Sequence, residues 1–203
     1  MIAARRLRCE RCQRPHSHCL CGLIPQLESR TRVLILQHPD EAKHALNTAR
    51  LAALGLCNAE LRVAEQFAEL PELLNDPAYQ VCLLFPGADA QPLSAMATVQ
   101  DPRPLLLVVP DGTWRKARKL LYLNPLLAAL PRVALPEGLS SRYRLRKAPM
   151  AGALSTLEAI VTALNILETP QPFEALLKPF EALIDGQIVA MGADTFARNH
   201  GVE

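Results

Sequence analysis

Three groups of residues have the types and spacing to do chemistry. The first is Asp111-Gly112-Thr113-Trp114, which follows an apolar run at 105–109. A carboxylate at the end of a buried strand can orient a proton donor or accept its proton. Gly112 allows close backbone approach or a positive φ. Thr113 can cap a following helix. Trp114, the single tryptophan of the chain, can fill core or stack on a base. The second group is Cys9-x2-Cys12-x6-Cys19-x-Cys21, four thiols within thirteen residues. Paired cysteines at short spacing supply the soft tetrahedral ligand set of zinc, and this spacing matches no common iron–sulfur pattern. A closed four-thiolate site folds its segment and does no chemistry. His16 and His18 lie between the pairs and can replace a thiolate; reduced cysteines in a floppy arm are the alternative. The third group is Ser155-Thr156-Leu157-Glu158. Ser155 and Glu158 match a capping box, and the same helix start can receive a carboxylate or phosphate. His38 and Asn47-Thr48-Ala49-Arg50 are weaker candidates, since a lone histidine after a strand is more often structural.

These groups need elements to hold them. Residues 32–37 are a short apolar run with β-branched members, read as a buried strand that His38-Pro39-Asp40 breaks. Asp40 is placed to cap a helix in which Ala42, Ala45, Leu46, Ala49, Ala53 and Leu54 recur at helical spacing, ended by Gly55. Further strands are expected at 59–63, 81–85, 105–109 and 132–135, and helices at 114–122, 155–167 and within 173–191. Cys57 and Cys82 are expected as small core residues. Strands alternating with helices indicate an α/β domain with a mostly parallel sheet. In such sheets the ligand lies off the carboxyl ends of the strands. That singles out three loops, at 86–88, 110–114 and 136–154, the last arginine-rich and irregular over a length that is usually functional.

The chain has 203 residues, half of them hydrophobic and 21% charged, as in ordinary globular proteins. The expected division is a cysteine-rich metal-binding module at 1–30 and an α/β domain at 31–203. No apolar run approaches the ~20 residues that span a bilayer. The N-terminus lacks the apolar core of a secretory signal, so a cytoplasmic location is expected, where clustered thiols point to metal. The net charge of +2 is uneven: residues 1–32 hold seven arginines against two glutamates. Such an arm suits a polyanion, or is a solvated terminus. Arg115, Lys116, Arg118 and Lys119 form a basic helix face, and Arg142, Arg144, Arg146 and Lys147 lie in the third loop.

Taken in order, these pieces resemble the DTW-domain family, the tRNA-uridine aminocarboxypropyltransferases, in its bacterial form. The resemblance covers nearly the whole chain. It runs through the four cysteines, His38-Pro39, Asn47-Thr48-Ala49-Arg50, Phe85-Pro86 and Asp111-Gly112-Thr113-Trp114 with Ala117-Arg118. It continues through Tyr143-x-Leu145-Arg146 and Ser155-Thr156-Leu157-Glu158-Ala159. Pro110 departs from the aliphatic neighbour expected before the aspartate. The resemblance implies a SPOUT-like sheet with a C-terminal trefoil knot and S-adenosylmethionine as donor. The product would be 3-(3-amino-3-carboxypropyl)uridine in tRNA, at the variable-loop uridine that bacterial members modify, with 5′-methylthioadenosine released. A monomer is expected over the dimer common among SPOUT proteins.

By the same resemblance, Asp111 would orient the uridine N3 or take its proton, and Trp114 would stack on the base. Phe85, Pro86, Gly87, Pro110, Gly112, Thr113, Leu135, Leu154, Ser155 and Thr156 would surround the donor, with Arg146 or the N–H groups at 155–156 on its carboxylate. Arg115, Arg118, Lys119, Arg144 and Lys147 would meet RNA, while Cys9, Cys12, Cys19 and Cys21 would hold zinc. Two other readings share these residues: a SPOUT-type RNA methyltransferase, and a non-catalytic zinc-dependent RNA-binding module.

Overall fold

The computed structural model describes residues 7–97, 101–145, 153–192, 195, 196 and 198. Six strands form one sheet: β1 (Arg32–Gln37), β2 (Ala59–Val63), β3 (Gln80–Leu84), β4 (Gln91–Pro92), β5 (Leu105–Asp111) and β6 (Arg132–Ala134). Their order is β2-β1-β5-β3-β6-β4 and every pairing is parallel. The helices are α1 (Pro39–Ala42), α2 (Ala49–Gly55), α3 (Leu70–Leu74), α4 (Leu93–Ala97), α5 (Trp114–Leu123), α6 (Pro125–Ala128), α7 (Thr156–Leu167) and α8 (Leu177–Met191).

The two central strands read as continuous apolar runs because both of their faces are covered. Val33, Ile35, Leu107 and Val109 pack with α2, α7 and α8 through Ala52, Leu157, Ile160 and Phe180. Leu34, Leu36, Leu106 and Val108 face the other way, onto Ala117, Leu120 and Leu121 of α5 and Leu127 of α6. The result is a helix–sheet–helix sandwich. Each fully buried Leu or Ile contributes roughly 1.5–3 kcal/mol. Cys12, Leu20 and Ile24 of the cysteine-rich segment belong to the same buried cluster as α2 and α7.

Local chemistry sets the helix ends. Thr113 caps α5, its hydroxyl accepting from the Lys116 N–H. Asn124 stops it, donating to the carbonyls of Leu120 and Glu65 at 2.8 Å each and accepting from the Phe67 N–H at 3.0 Å. Pro125 then opens α6. Ser155 and Glu158 form a complete capping box on α7. Gly55 closes α2 as expected, and a Cβ there would collide with Leu176 Cδ2.

Several expectations are corrected. The single helix expected across 42–54 is two, α1 and α2, separated by an irregular segment at 43–48. The break centres on Asn47: its Nδ2 donates to the Glu41 carbonyl, its Oδ1 accepts the Arg50 N–H at the start of α2, and its amide pairs with that of Gln37 in β1. His38, not Asp40, caps α1; its Nδ1 accepts the Asp40 N–H. Strand β3 ends at Leu84, one residue before Phe85, whereas β5 extends through Pro110 to Asp111. Cys82 is buried, but Cys57 is exposed in the turn between α2 and β2. The short elements α3, α4, α6 and β4 have too few residues to show periodicity.

Candidate active site and metal centre

The carboxyl ends of β3, β5 and β6 enclose a cavity of about 250 Å³. Phe85 and Pro86 line it past β3, Pro110 and Gly112 past β5, and Leu135 past β6. Leu154, Ser155 and Thr156 close it at the head of α7. Trp114 forms another wall, packed edge-on against Phe85 with ring centroids 5.7 Å apart. Eight of the ten described positions expected around a donor therefore surround one space. Gly87 is set apart, close against the Arg132 side chain, and Thr113 lines a neighbouring cavity. Arg146 lies outside the described residues.

That neighbouring cavity, about 300 Å³, is more polar. Asp111, Asn47, Thr48, Glu41, Tyr143 and Leu145 are among the residues that line it. Gly112, Ser155 and Thr156 line both cavities, so the two meet there. Gly112 has φ +155°, and a Cβ would stand 3.0 Å from Lys116 Cβ; a larger residue would be strained and crowded.

Asp111 sits at this junction and is 7% exposed. The sheet register sets Gln37, the last residue of β1, directly opposite Asp111, the last of β5. Gln37 Nε2 accordingly donates to Asp111 Oδ2 at 2.7 Å, and the Thr156 hydroxyl donates to Oδ1 in a short hydrogen bond. Gln37 and Asn47 also exchange amide hydrogen bonds at 3.1 and 3.2 Å. The carboxylate is thus fixed in direction by groups from β1 and α7.

A second polar cluster, of which His38 is the buried member, backs this site. His38, 4% exposed, donates its N–H to the Asp111 carbonyl and places Nε2 2.9 Å from Glu65. Lys119 also reaches Glu65, at 2.8 Å, and holds its carboxyl below the usual carboxylate range, with His38 adding to the effect. Lys116 pairs with Glu41 at 2.8 Å, which raises the ammonium above its ordinary range. Of the basic residues expected to meet RNA, Arg115 and Arg118 are exposed. Lys119 and Arg144 are engaged with Glu65 and Asp185. Lys147 lies outside the described residues.

Glu158 fastens the third loop to α7. Its carboxylate accepts from the Ser141 hydroxyl, the Arg142 N–H at 2.6 Å and the Ser155 N–H at 2.8 Å.

The four cysteine sulfurs lie within 4.8 Å of one another. Cys9 and Cys21 are 3.5 Å apart, and Cys12 and Cys19 3.8 Å. Tetrahedral ligands at a zinc–sulfur bond of ~2.3 Å stand about 3.8 Å apart, so this set fits the ion. The N–H groups of Cys12 and Arg11 lower the Cys9 thiol to about 6, whereas burial and the neighbouring sulfurs push Cys21 up to about 12. Four thiols this close ionise together only with a cation among them. His16 and His18 form a short 3-10 turn outside the group and supply no ligand to it.

Sequence reasoning missed Gln37 and Glu41 and gave the third-loop contact of Glu158 no role. The available signal was a glutamine ending an otherwise apolar strand.

The all-parallel sheet, the paired cavities at its carboxyl edge and the thiol cluster define an α/β protein with a candidate ligand site and a cysteine turn whose geometry fits a metal ion. The DTW-domain description matches residues 6–188, and the chain belongs to the DTW-domain family. It is 35% identical over 199 residues to tRNA-uridine aminocarboxypropyltransferase 2 of Macaca fascicularis, covering 92% of this chain and 65% of that protein. The mouse protein of that name is 34% identical, with 92% and 65% coverage. For the Drosophila melanogaster protein the identity is 34%, with 91% and 76% coverage. The chain thus spans just under two thirds of the length of the first two relatives. No solved structure matches it. Among the described residues no helix is long and apolar enough to cross a membrane.

Proposed function

We propose that the chain transfers the 3-amino-3-carboxypropyl group of S-adenosylmethionine to N3 of a uridine in tRNA, in the variable loop. The observation that carries this is the pair of cavities meeting at Gly112, Ser155 and Thr156 beside a buried, directed carboxylate. The apolar first cavity suits the nucleoside part of the donor. The acceptor base enters the polar second cavity beside Asp111, and the sulfonium stands at the junction. The names of the relatives support the reaction and its tRNA substrate.

In the transfer, uridine N3 bonds to the terminal carbon of the aminocarboxypropyl arm as that carbon's bond to sulfur breaks. The electron pair stays on sulfur, giving 5′-methylthioadenosine, and the N3 proton leaves. Three carbons on the sulfonium are electrophilic, so the outcome rests on alignment. Asp111, held by Gln37 and Thr156, is suited to orient N3 toward the reacting carbon and to take the N3 proton on its carboxylate. The Ser155 N–H is taken by Glu158, so of the expected pair the Thr156 N–H at the head of α7 is suited to the donor carboxylate, with Arg146 as a second partner. Trp114 walls the first cavity, so its stacking on the base would occur where the two cavities meet, as that base leaves its tRNA fold. Arg115, Arg118, Lys119, Arg144 and Lys147 follow the RNA backbone.

The finer reading of the fold is SPOUT-like with a knotted C-terminal part, supported by the all-parallel sheet and its carboxyl-edge site. It includes a zinc-holding module at 1–30, a catalytic domain at 31–203 and action as a cytoplasmic monomer.

The test is incubation of tRNA with donor labelled either in the carboxyl carbon or in the methyl group. Carboxyl label should enter the RNA and methyl label should not. Methyl incorporation would establish a methyltransferase instead. Binding of tRNA without binding of the donor would establish a non-catalytic module.

A further inference from the structure

Arg14 belongs by sequence to the arginine-rich arm, yet its guanidinium is turned into the molecule. It is half-buried. Among the described residues no carboxylate lies in ion-pair range of it. Its partners are two backbone carbonyls, Ala45 at 2.8 Å from Nη1 and Asn47 at 3.5 Å from Nη2. A partly desolvated cation committed to two carbonyls of one segment has a specific use for its planar fork, because a lysine offers a point charge instead.

Both ends of this contact are fixed. At one end the Cys9 N–H donates to the Arg14 carbonyl at 2.7 Å, and the Gln13 N–H to the Cys9 carbonyl at 2.8 Å. The backbone of Arg14 is therefore part of the turn that presents the thiols. At the other end is the irregular segment 43–48, which supplies His44, Leu46, Asn47 and Thr48 to the second cavity. Its local hydrogen bonds run from the His44 N–H and the Asn47 side chain to the Glu41 carbonyl, and from the Asn47 and Leu46 N–H groups to His44. From Asn47 the chain of contacts continues through the Gln37 amide to the Asp111 carboxylate.

We propose that Arg14 is a positioning residue that carries the geometry of the cysteine cluster to the wall of the second cavity and to Asp111. It touches neither donor nor acceptor. The thiol cluster then does more than fold its own segment: with its ligands assembled, Arg14 is placed to hold segment 43–48 in register. This rests on the proposed reaction for its consequence in catalysis, but the structural coupling does not.

The experiment compares the unsubstituted protein, its metal-chelated form, Arg14→Ala and Arg14→Lys. Hydrogen exchange at 43–48, metal content, donor-binding stoichiometry and transfer kinetics are measured on each. Arg14→Ala should keep its metal and a donor stoichiometry near one. It should speed exchange at 43–48 more than tenfold and lower kcat/KM for tRNA by roughly ten- to a hundredfold, the scale of a small misplacement in a site. Arg14→Lys should recover part of both losses. Chelation of the unsubstituted protein should speed exchange over the same segment. Unchanged exchange at 43–48 in Arg14→Ala would overturn the proposal. So would a rate loss matched by loss of metal or of donor stoichiometry, which marks a merely structural residue. If the unsubstituted protein transfers nothing, the proposed reaction fails, and the exchange data still decide the role of Arg14.

Discussion

Asp111 is held from two sides before any ligand arrives, and that gives its substitution a distinct signature. Asp111→Ala should abolish transfer, a loss of at least a hundredfold, while the chain stays folded and tRNA affinity changes little. Near-normal turnover of the variant would remove Asp111 from its role. Gln37→Ala removes a hydrogen-bond donor to the same carboxylate, so a milder loss of roughly tenfold in kcat is expected. Glu65 makes a pH prediction. Lys119 and His38 hold its carboxyl low, so its contribution to stability is complete above the unfolded glutamate value, near 4.3. It is lost as pH falls through the lowered folded value. Replacing Glu65 by Gln should flatten the acid limb of a Tm-against-pH curve, and an unchanged limb would count against the pairing.

The elements differ in how much of them the sequence discloses. The interiors of β1 and β5 are plain because a parallel strand buried on both faces reads as an unbroken apolar run. The capping box of α7 is equally plain, being a local pattern of Ser155 and Glu158. The division of α1 from α2 is not, since it depends on Asn47 bonding to Gln37 of a strand ten residues away. The junction of the cavities is hidden for the same reason: it depends on the register that sets Gln37 against Asp111. For α7, Ser155→Ala should cost about 1 kcal/mol through the lost cap. That corresponds to about 2–4 °C in Tm for a chain of this size. Glu158→Ala should cost more, because the N–H of Arg142 and the Ser141 hydroxyl lose their acceptor along with the cap. Equal Tm values for the two variants would show that the third loop is not fastened there.

At the scale of the molecule, charge is arranged in two grades. Arg115 and Arg118 are exposed on α5, directly after the Asp111 loop, whereas Lys116 and Lys119 already have acidic partners. If RNA lies across this face, Arg115→Ala and Arg118→Ala should each lower the slope of log affinity against log salt by about one. Lys116→Ala should change it less. Equal slopes for all three variants would place the RNA elsewhere. Removing the metal, or Cys9→Ser, should open the cysteine turn and expose Cys12, Leu20 and Ile24, which belong to the main buried cluster. The expected reading is a lower Tm together with weaker tRNA binding; zinc content unchanged in Cys9→Ser would refute the four-thiolate site.

The shared wall at Gly112, Ser155 and Thr156 also has a pharmacological consequence. Two compartments that open into each other can be filled by one compound. A nucleoside tethered to a uracil through a three-carbon bridge would bind its second half at a high effective concentration, set by the short linker. Such a compound should inhibit far better than an equimolar mixture of its halves, and it would compete with donor and acceptor alike.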